Sequence, residues 1–292
     1  MDNLRRLDHA VLSVETLTVA RARLEALGFR VANDARHPFG TENACVYFAD
    51  QTYLEPLAVA DDMAMQHSVT EGNNFTRLFG QYRHSTETEG FAAIALKSSD
   101  ADGDHGYFQE TGISAGGMLA FSRPLKRPDG TETVASFKLA FSAKPAEERF
   151  YVFTCQRINV SALADEALLA HENGVVGTKG IILLSKEASD RNYLGAIFGA
   201  AVEDEYGLAF VMNGSKLHVM EEEGLRDYVG AACATKAEGL TGIAVVFGVR
   251  DVRKTAELFE ARGIAYEKRA DRLVVAAEAG QGAIFVFEEE AA

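Results

Sequence analysis

Leu7-Asp8-His9-Ala10-Val11-Leu12-Ser13-Val14, followed by Thr16-Leu17-Thr18 and closed by Leu27-Gly28, is the stretch whose reading decides the fold. Its first eight residues are mostly apolar and suit a half-buried strand. Thr16 to Thr18 supply a helix start. Leu17, Ala20, Leu24 and Leu27 then fall on one helical face. Gly28 stands where a left-handed cap is wanted. Strand-like runs follow around 29–32, 44–48 and 53–59. The order is strand, helix, then three strands.

The same grammar returns along the chain. Gly242 to Phe247 is a strand, Asp251 caps a helix carrying Val252, Ala256 and Phe259, and Gly263 ends it. Strands follow near 265–268, 273–276 and 283–287. In the middle, Gly180 to Ser185 is a strand. Ser189 or Asp190 caps a helix carrying Leu194, Ile197 and Phe198, which Gly199 ends, with strands near 208–212 and 216–220. Phe91 to Leu96 opens a further copy, with a helix from Asp102 to Thr111, Gly112 at its end, and strands near 118–122, 133–141 and 150–155. Repetition of this kind sets the architecture.

One such module has an apolar sheet face that it cannot cover alone. Pairing two modules in one curved sheet buries that face and makes a concave cup. The expected class is therefore α+β, with four βαβββ modules paired into two curved mixed-sheet domains. Their bounds are 1–165 and 166–292, with 159–173 as connector. The stretch 60–90 is a polar, part-helical insertion placed to cover the mouth of a cup.

The chain has 292 residues and a net charge of −14, which opposes binding to nucleic acid and to anionic membranes. No apolar run reaches the ~18 residues that span a bilayer. The first residues lack a signal-peptide core, so a cytoplasmic protein with a small-molecule partner is expected, and a homodimer stays open. Cys45, Cys155 and Cys233 lie far apart without a CxxC pair, which points to neither a disulfide framework nor structural zinc. Gly112 to Gly116 has a GxSxG form, but it follows a helix rather than making a strand-to-helix elbow.

His9 interrupts an otherwise apolar strand, and Glu55 lies between Leu54 and Pro56-Leu57. A carboxylate in such surroundings needs a partner. Imidazole and carboxylate together suit divalent Zn, Mn, Fe or Ni. Arg36 has the geometry to hold a substrate carboxylate or phosphate, or else lies in a solvated loop. Asn43 either fixes a turn or touches ligand.

The module resembles that of the vicinal oxygen chelate superfamily, which includes glyoxalase I, extradiol dioxygenases and bleomycin-resistance proteins. The residues that carry the resemblance are Leu7 to Val11, Arg36-His37-Pro38, Gly40 to Ala44, Tyr53-Leu54-Glu55, Arg127 to Gly130, and His171 to Gly174. The resemblance implies metal ligands on the first and last strands of a module, facing the cup. His9 and Glu55 take those places in the first module, and Glu55 is the implied proton carrier. In the second module Ala93 and Arg157 stand at such places and cannot ligate a metal, so a site needs another ligand, such as His171 of the connector or Cys155, or else holds no metal. Arg36, His37, Asn43, Tyr53, Gln156 and Arg157 are the implied substrate contacts. The later modules offer Ile181, Ala244, His218 and Val286, which suits a structural or dimerising half. Two functions follow from the resemblance: a metal-dependent glyoxalase-like lyase or isomerase acting on a small oxygen-bearing substrate, and a metal-free sequestering protein of the bleomycin-resistance type.

Overall fold

A computed structural model of the chain describes residues 4–85, 89–126, 132–144, 149–159, 166–232 and 239–290. The first module comprises β1 (Leu7–Ser13), α1 (Leu17–Ala26), β2 (Ala35–Arg36), β3 (Thr41–Asn43), β4 (Val46–Tyr47) and β5 (Tyr53–Val59). The insertion folds as α2 (Asp62–Thr70) and α3 (Asn74–Ser85). The second module comprises β6 (Gly90–Ser98), α4 (Ala101–Glu110), β7 (Leu119–Lys126), β8 (Glu132–Ser142) and β9 (Tyr151–Arg157). The third comprises β10 (Val175–Leu184), α5 (Ala188–Phe198), β11 (Ala201–Glu203), β12 (Gly207–Val211) and β13 (Lys216–Met220), and α6 (Glu222–Val229) follows it. The fourth comprises β14 (Thr241–Val249), α7 (Val252–Arg262), β15 (Glu267–Arg269), β16 (Arg272–Val275) and β17 (Ile284–Glu289).

Strand pairing joins the modules two by two. β1 runs parallel to β5 and antiparallel to β6, which is parallel to β9. β10 repeats this with β13 and β14, and β14 with β17. One register pair, Gly242 with Phe91, connects the two layers. The layers also share a core, in which Phe29 meets the rings of Phe48, Phe247, Phe285 and Phe287. Among the described residues no helix is long and apolar enough to cross a membrane.

Helix starts follow capping chemistry. Thr16 accepts from the Val19 N–H, Asp100 from Gly103, and Asp251 from Arg253 and Lys254, contacts worth about 1 kcal/mol each. The third module departs from expectation. Its helix begins at Ala188 after Glu187, and neither Ser189 nor Asp190 is the cap. Asp190 is fully buried, paired with Lys144 at 2.6 Å and hydrogen-bonded by the Ser185 hydroxyl. A buried carboxylate takes a cation before it takes a helix end.

The run 29–32 is likewise no strand. Phe29 is an aromatic anchor of the shared core, and Arg21 ties the carbonyls of Val31 and Ala32. At Gly28, with φ +85°, a Cβ would lie 3.0 Å from the Asn173 nitrogen. The glycine thus ends α1 and also lets the connector dock against it.

Each cup is lidded. Met65 of α2 and Phe75, Leu78, Phe79 and Tyr82 of α3 pack with Val11, Leu57, Ala93 and Tyr151 of the first cup. In the second, Leu225, Tyr228 and Val229 of α6 pack with Ile182, Ala244, Ile284 and Val286. The α2–α3 lid is fastened through Gly40 (φ +88°), whose carbonyl accepts from Ala60 and Asp61, and which has no room for a Cβ beside Met65.

Candidate active site

Alternation along β1 and β5 points His9, Tyr53 and Glu55 into the first cup, where they line a pocket. The parallel register sets His9 beside Tyr53 and Val11 beside Glu55. The His9 ring stacks on Tyr53 at 4.3 Å and meets the Phe153 ring edge-on at 5.5 Å. Its Nε2 lies 3.2 Å from Glu55 Oε2 but makes no hydrogen bond, although it is buried. Its Nδ1 donates to Asp8 Oδ2 at 2.8 Å. Consecutive side chains on a regular strand point to opposite faces. Here the β1–β6 register slips between Leu7 and His9, and such a slip re-aims a side chain, which lets Asp8 reach its neighbour.

Asn43 donates to Glu55 Oε1 at 2.6 Å, and His37 Nε2 lies 3.9 Å from the same oxygen. His37 Nδ1 meets the Thr41 hydroxyl at 2.8 Å. The charges follow from these contacts. Burial alone would raise Glu55, but the His9 imidazole, His37 and the Asn43 amide outweigh it and hold the carboxyl down at about 2. Burial pulls His9 downward, yet Asp8 and Glu55 on either side raise it above its ordinary value. Burial pushes His37 down to about 4 against the pull of Glu55, so it stays neutral at physiological pH. His9 thus lies between two carboxylates that favour its protonated form, with a neutral His37 alongside.

The other sequence candidates separate into those at the pocket and those elsewhere. His37, Asn43 and Tyr53 line it. Arg36 does not; its side chain is 78% exposed and reaches Glu42 at 3.4 Å. Gln156 turns away, accepting from the Ala101 N–H and donating to the Ser99 carbonyl at the start of α4. Arg157 holds Asp8 at 2.5 Å rather than Glu55 and lies over the Tyr53 ring. It therefore fixes the partner of His9 instead of facing ligand. His171 is not at the cup: its Nδ1 accepts from the Arg30 N–H and its Nε2 donates to the Tyr47 carbonyl. Both ring nitrogens are in use, so it docks the connector. Cys45 and Cys155 line the pocket as free thiols, pushed up by burial. Arg127 to Gly130 and Cys233 lie outside the described residues.

Two residues of this cluster escaped the sequence reading. Asp8 gave no signal, because strand alternation assigns it the opposite face. Arg123, on β7, lines the pocket, and only the β7–β8 pairing brings it there.

Among the described residues the donor set does not fit a resident metal. His9 Nε2 is an orphaned buried nitrogen, and Glu55 lies beside it. Yet among the described residues no group of three or more His, Cys, Asp or Glu side chains is placed to hold an ion, whereas catalytic metal sites take about three protein ligands. Asp8 is committed to Arg157, and His171 to the connector.

Paired βαβββ modules around a cup define the vicinal oxygen chelate fold. The chain belongs to the glyoxalase-like domain family, whose model matches residues 7–194. No curated protein matches its sequence. Among solved structures, a hypothetical protein from Staphylococcus aureus is similar with a TM-score of 0.67 at 14% identity, over 98% of this chain and 100% of that one. A mutant of 4-hydroxymandelate synthase from Streptomyces coelicolor gives 0.60 at 11%, over 98% and 92%. The Mn(II)-bound glyoxalase from Novosphingobium aromaticivorans gives 0.54 at 11%, over 98% and 83%. At these identities the likeness is one of fold.

Proposed function

We propose that the first cup is the reaction site of a glyoxalase-like enzyme that moves a proton on a small oxygen-bearing substrate, a reaction of the isomerase or lyase kind. The observation that carries this reading is the buried Nε2 of His9, which lies 3.2 Å from Glu55 without a hydrogen bond, on a ring whose Nδ1 is held by Asp8. A buried N–H without a partner costs about 1–3 kcal/mol, and a substrate oxygen relieves that cost. Glu55 is the acceptor of the C–H proton. Its low pKa belongs to its pairing with protonated His9. Once His9 passes its proton to the substrate oxygen, that pairing is gone and burial raises Glu55. Donation by one group therefore makes the other a better base, and the two transfers are coupled.

The experiment is solvent-deuterium exchange by NMR on a panel of small α-hydroxy ketones and α-keto acids. The parent is expected to exchange the C–H beside the carbonyl, and His9→Ala and Glu55→Gln are expected to slow that exchange about 100-fold or more. Elemental analysis should find no stoichiometric Zn, Mn, Fe or Ni. Retained metal that His9→Ala releases would overturn the metal-free route. A second reading, sequestration without chemistry, is favoured by the phenylalanine walls of the pocket. It replaces the first if a molecule binds tightly while its C–H bonds exchange no faster than in buffer.

A further inference from the structure

Among the described residues, Arg123 is a cation of the first cup that no carboxylate there pairs with. Asp8 pairs with Arg157 and His9, and Glu55 sits with His9, Asn43 and His37. Arg123 has no ion-pair partner among the described residues. Its Nε is buried without a hydrogen bond, and its guanidinium lies 5.9 Å from the Phe137 ring centre. Its charge is felt by His37, Cys45 and Tyr47, all walls of the same pocket. Asp8 and Glu55 are taken up by Arg157 and His9, so among the described residues neither carboxylate is left for Arg123.

A half-buried guanidinium whose buried Nε–H has no partner favours an anion, and its planar fork matches a carboxylate in bidentate fashion. Much of the wall is aromatic: Phe39, Phe75, Phe121, Phe137 and Phe153 line it. Such rings suit a flat apolar body. We infer that the pocket takes a small monoanionic carboxylate with an aromatic or otherwise flat apolar body, its carboxylate on Arg123 and its reacting oxygen toward His9. This rests on the reading of the first cup as a small-molecule site. It assigns Arg123 as the residue that selects charge.

Calorimetric titration with phenylacetate and with the neutral, near-isosteric phenylacetamide tests it. The parent is expected to bind phenylacetate at least tenfold tighter than the amide. Arg123→Gln should cost phenylacetate about tenfold or more and leave the amide within twofold, which removes the preference. Arg123→Lys, which keeps the charge and loses the fork, should retain part of the preference, and thermal melts establish that both variants fold. Equal binding of the two probes by the parent, no measurable binding of phenylacetate, or a preference that survives Arg123→Gln would each overturn the inference. Failure here is separable from failure of the proposed reaction. Exchange on neutral ketones with no carboxylate preference leaves the reaction standing and removes the anion subsite. A carboxylate preference lost in Arg123→Gln, with no C–H exchange on any substrate, does the reverse.

Discussion

The two cups are built on one grid and filled in opposite ways. Counting back seven residues from the helix caps Thr16, Asp100, Glu187 and Asp251 lands on His9, Ala93, Gly180 and Ala244. The residue two further along the strand in each module pairs with Glu55, Phe153, His218 and Val286. The third module's place is thus Gly180, one residue from the Ile181 that sequence pattern suggested. Of the four pairs of places, only His9 with Glu55 presents a facing imidazole and carboxylate. The first cup keeps a pocket under its α2–α3 lid. In the second, Ile182, Val246, Ile284 and Val286 pack under α6, and Arg272 lies 3.9 Å from the Tyr228 ring centre while Tyr228 donates to Glu288. A polar pair survives inside this fold only where neighbours satisfy it, as Asp8, Asn43 and Arg157 do in the first cup.

The sharpest way to break the comparison is to put the first cup's carboxylate into the second. Val286 stands where Glu55 does, but among the described residues it packs with apolar side chains such as Ile182, Val246 and Ile284. Val286→Glu is expected to destabilise the protein by about 4 kcal/mol or more, because an unpaired charge is then buried. Urea denaturation at neutral pH measures this. A loss under about 1 kcal/mol would mean that the second cup can supply a partner or admit water.

The next largest effect separates the cups by pH. Neutral His37 has its folded pKa depressed from 6.5 to about 4, so its contribution is present above 6.5 and is lost as pH falls from 6.5 toward 4. Glu55, depressed from 4.5 to about 2, contributes above 4.5 and loses that contribution as pH falls toward 2. His9 has the opposite sign. Its raised pKa contributes stability below 6.5, which is lost as pH rises through the folded value. The His37 leg is worth at most about 3 kcal/mol at ~1.4 kcal/mol per pKa unit. Urea midpoints between pH 4 and 7 should show it, and His37→Gln should flatten that leg. An unchanged slope would show that His37 does not titrate as its burial requires.

Glu55→Gln is a smaller perturbation, because the amide oxygen still accepts from Asn43. A loss of about 1–3 kcal/mol is expected from removing the charge of Glu55 beside His9. It comes with a fall in the His9 pKa, read from imidazole NMR shifts. A His9 pKa that stays put would mean Asp8 alone holds the proton.

These effects bear on what the chain announces and what it hides. The modules are legible because their caps are local: Thr16 and Asp251 start helices, and Gly28 and Gly263 end them, through chemistry within four residues. His9 and Glu55 are legible as polar residues on apolar strands. Asp8 is not, since its usefulness depends on a register slip against β6. Arg123 is not, since it reaches the pocket through the pairing of β7 with β8. The fate of 29–32 was equally hidden, because Phe29 packs on rings from a module more than 200 residues away. Gln156, Arg157 and His171 were read as site residues from position, while their side chains are occupied by α4, Asp8 and the connector.

The smallest expected effect is at the place where the second cup comes closest to the first. His218 occupies the Glu55 place of the third module and reaches Asp204 at 2.8 Å. Its partner carboxylate is 35% exposed, and an ion pair so placed is worth about 0–1 kcal/mol. No imidazole stands opposite, because Gly180 fills the His9 place. His218→Ala should therefore shift stability by less than about 1 kcal/mol and leave phenylacetate binding and C–H exchange unchanged. Were either readout to fall tenfold, the second cup would have to be communicating with the first through the Phe29 core that both layers share. The difference between the cups would then be one of division of labour rather than of a working site beside a filled one.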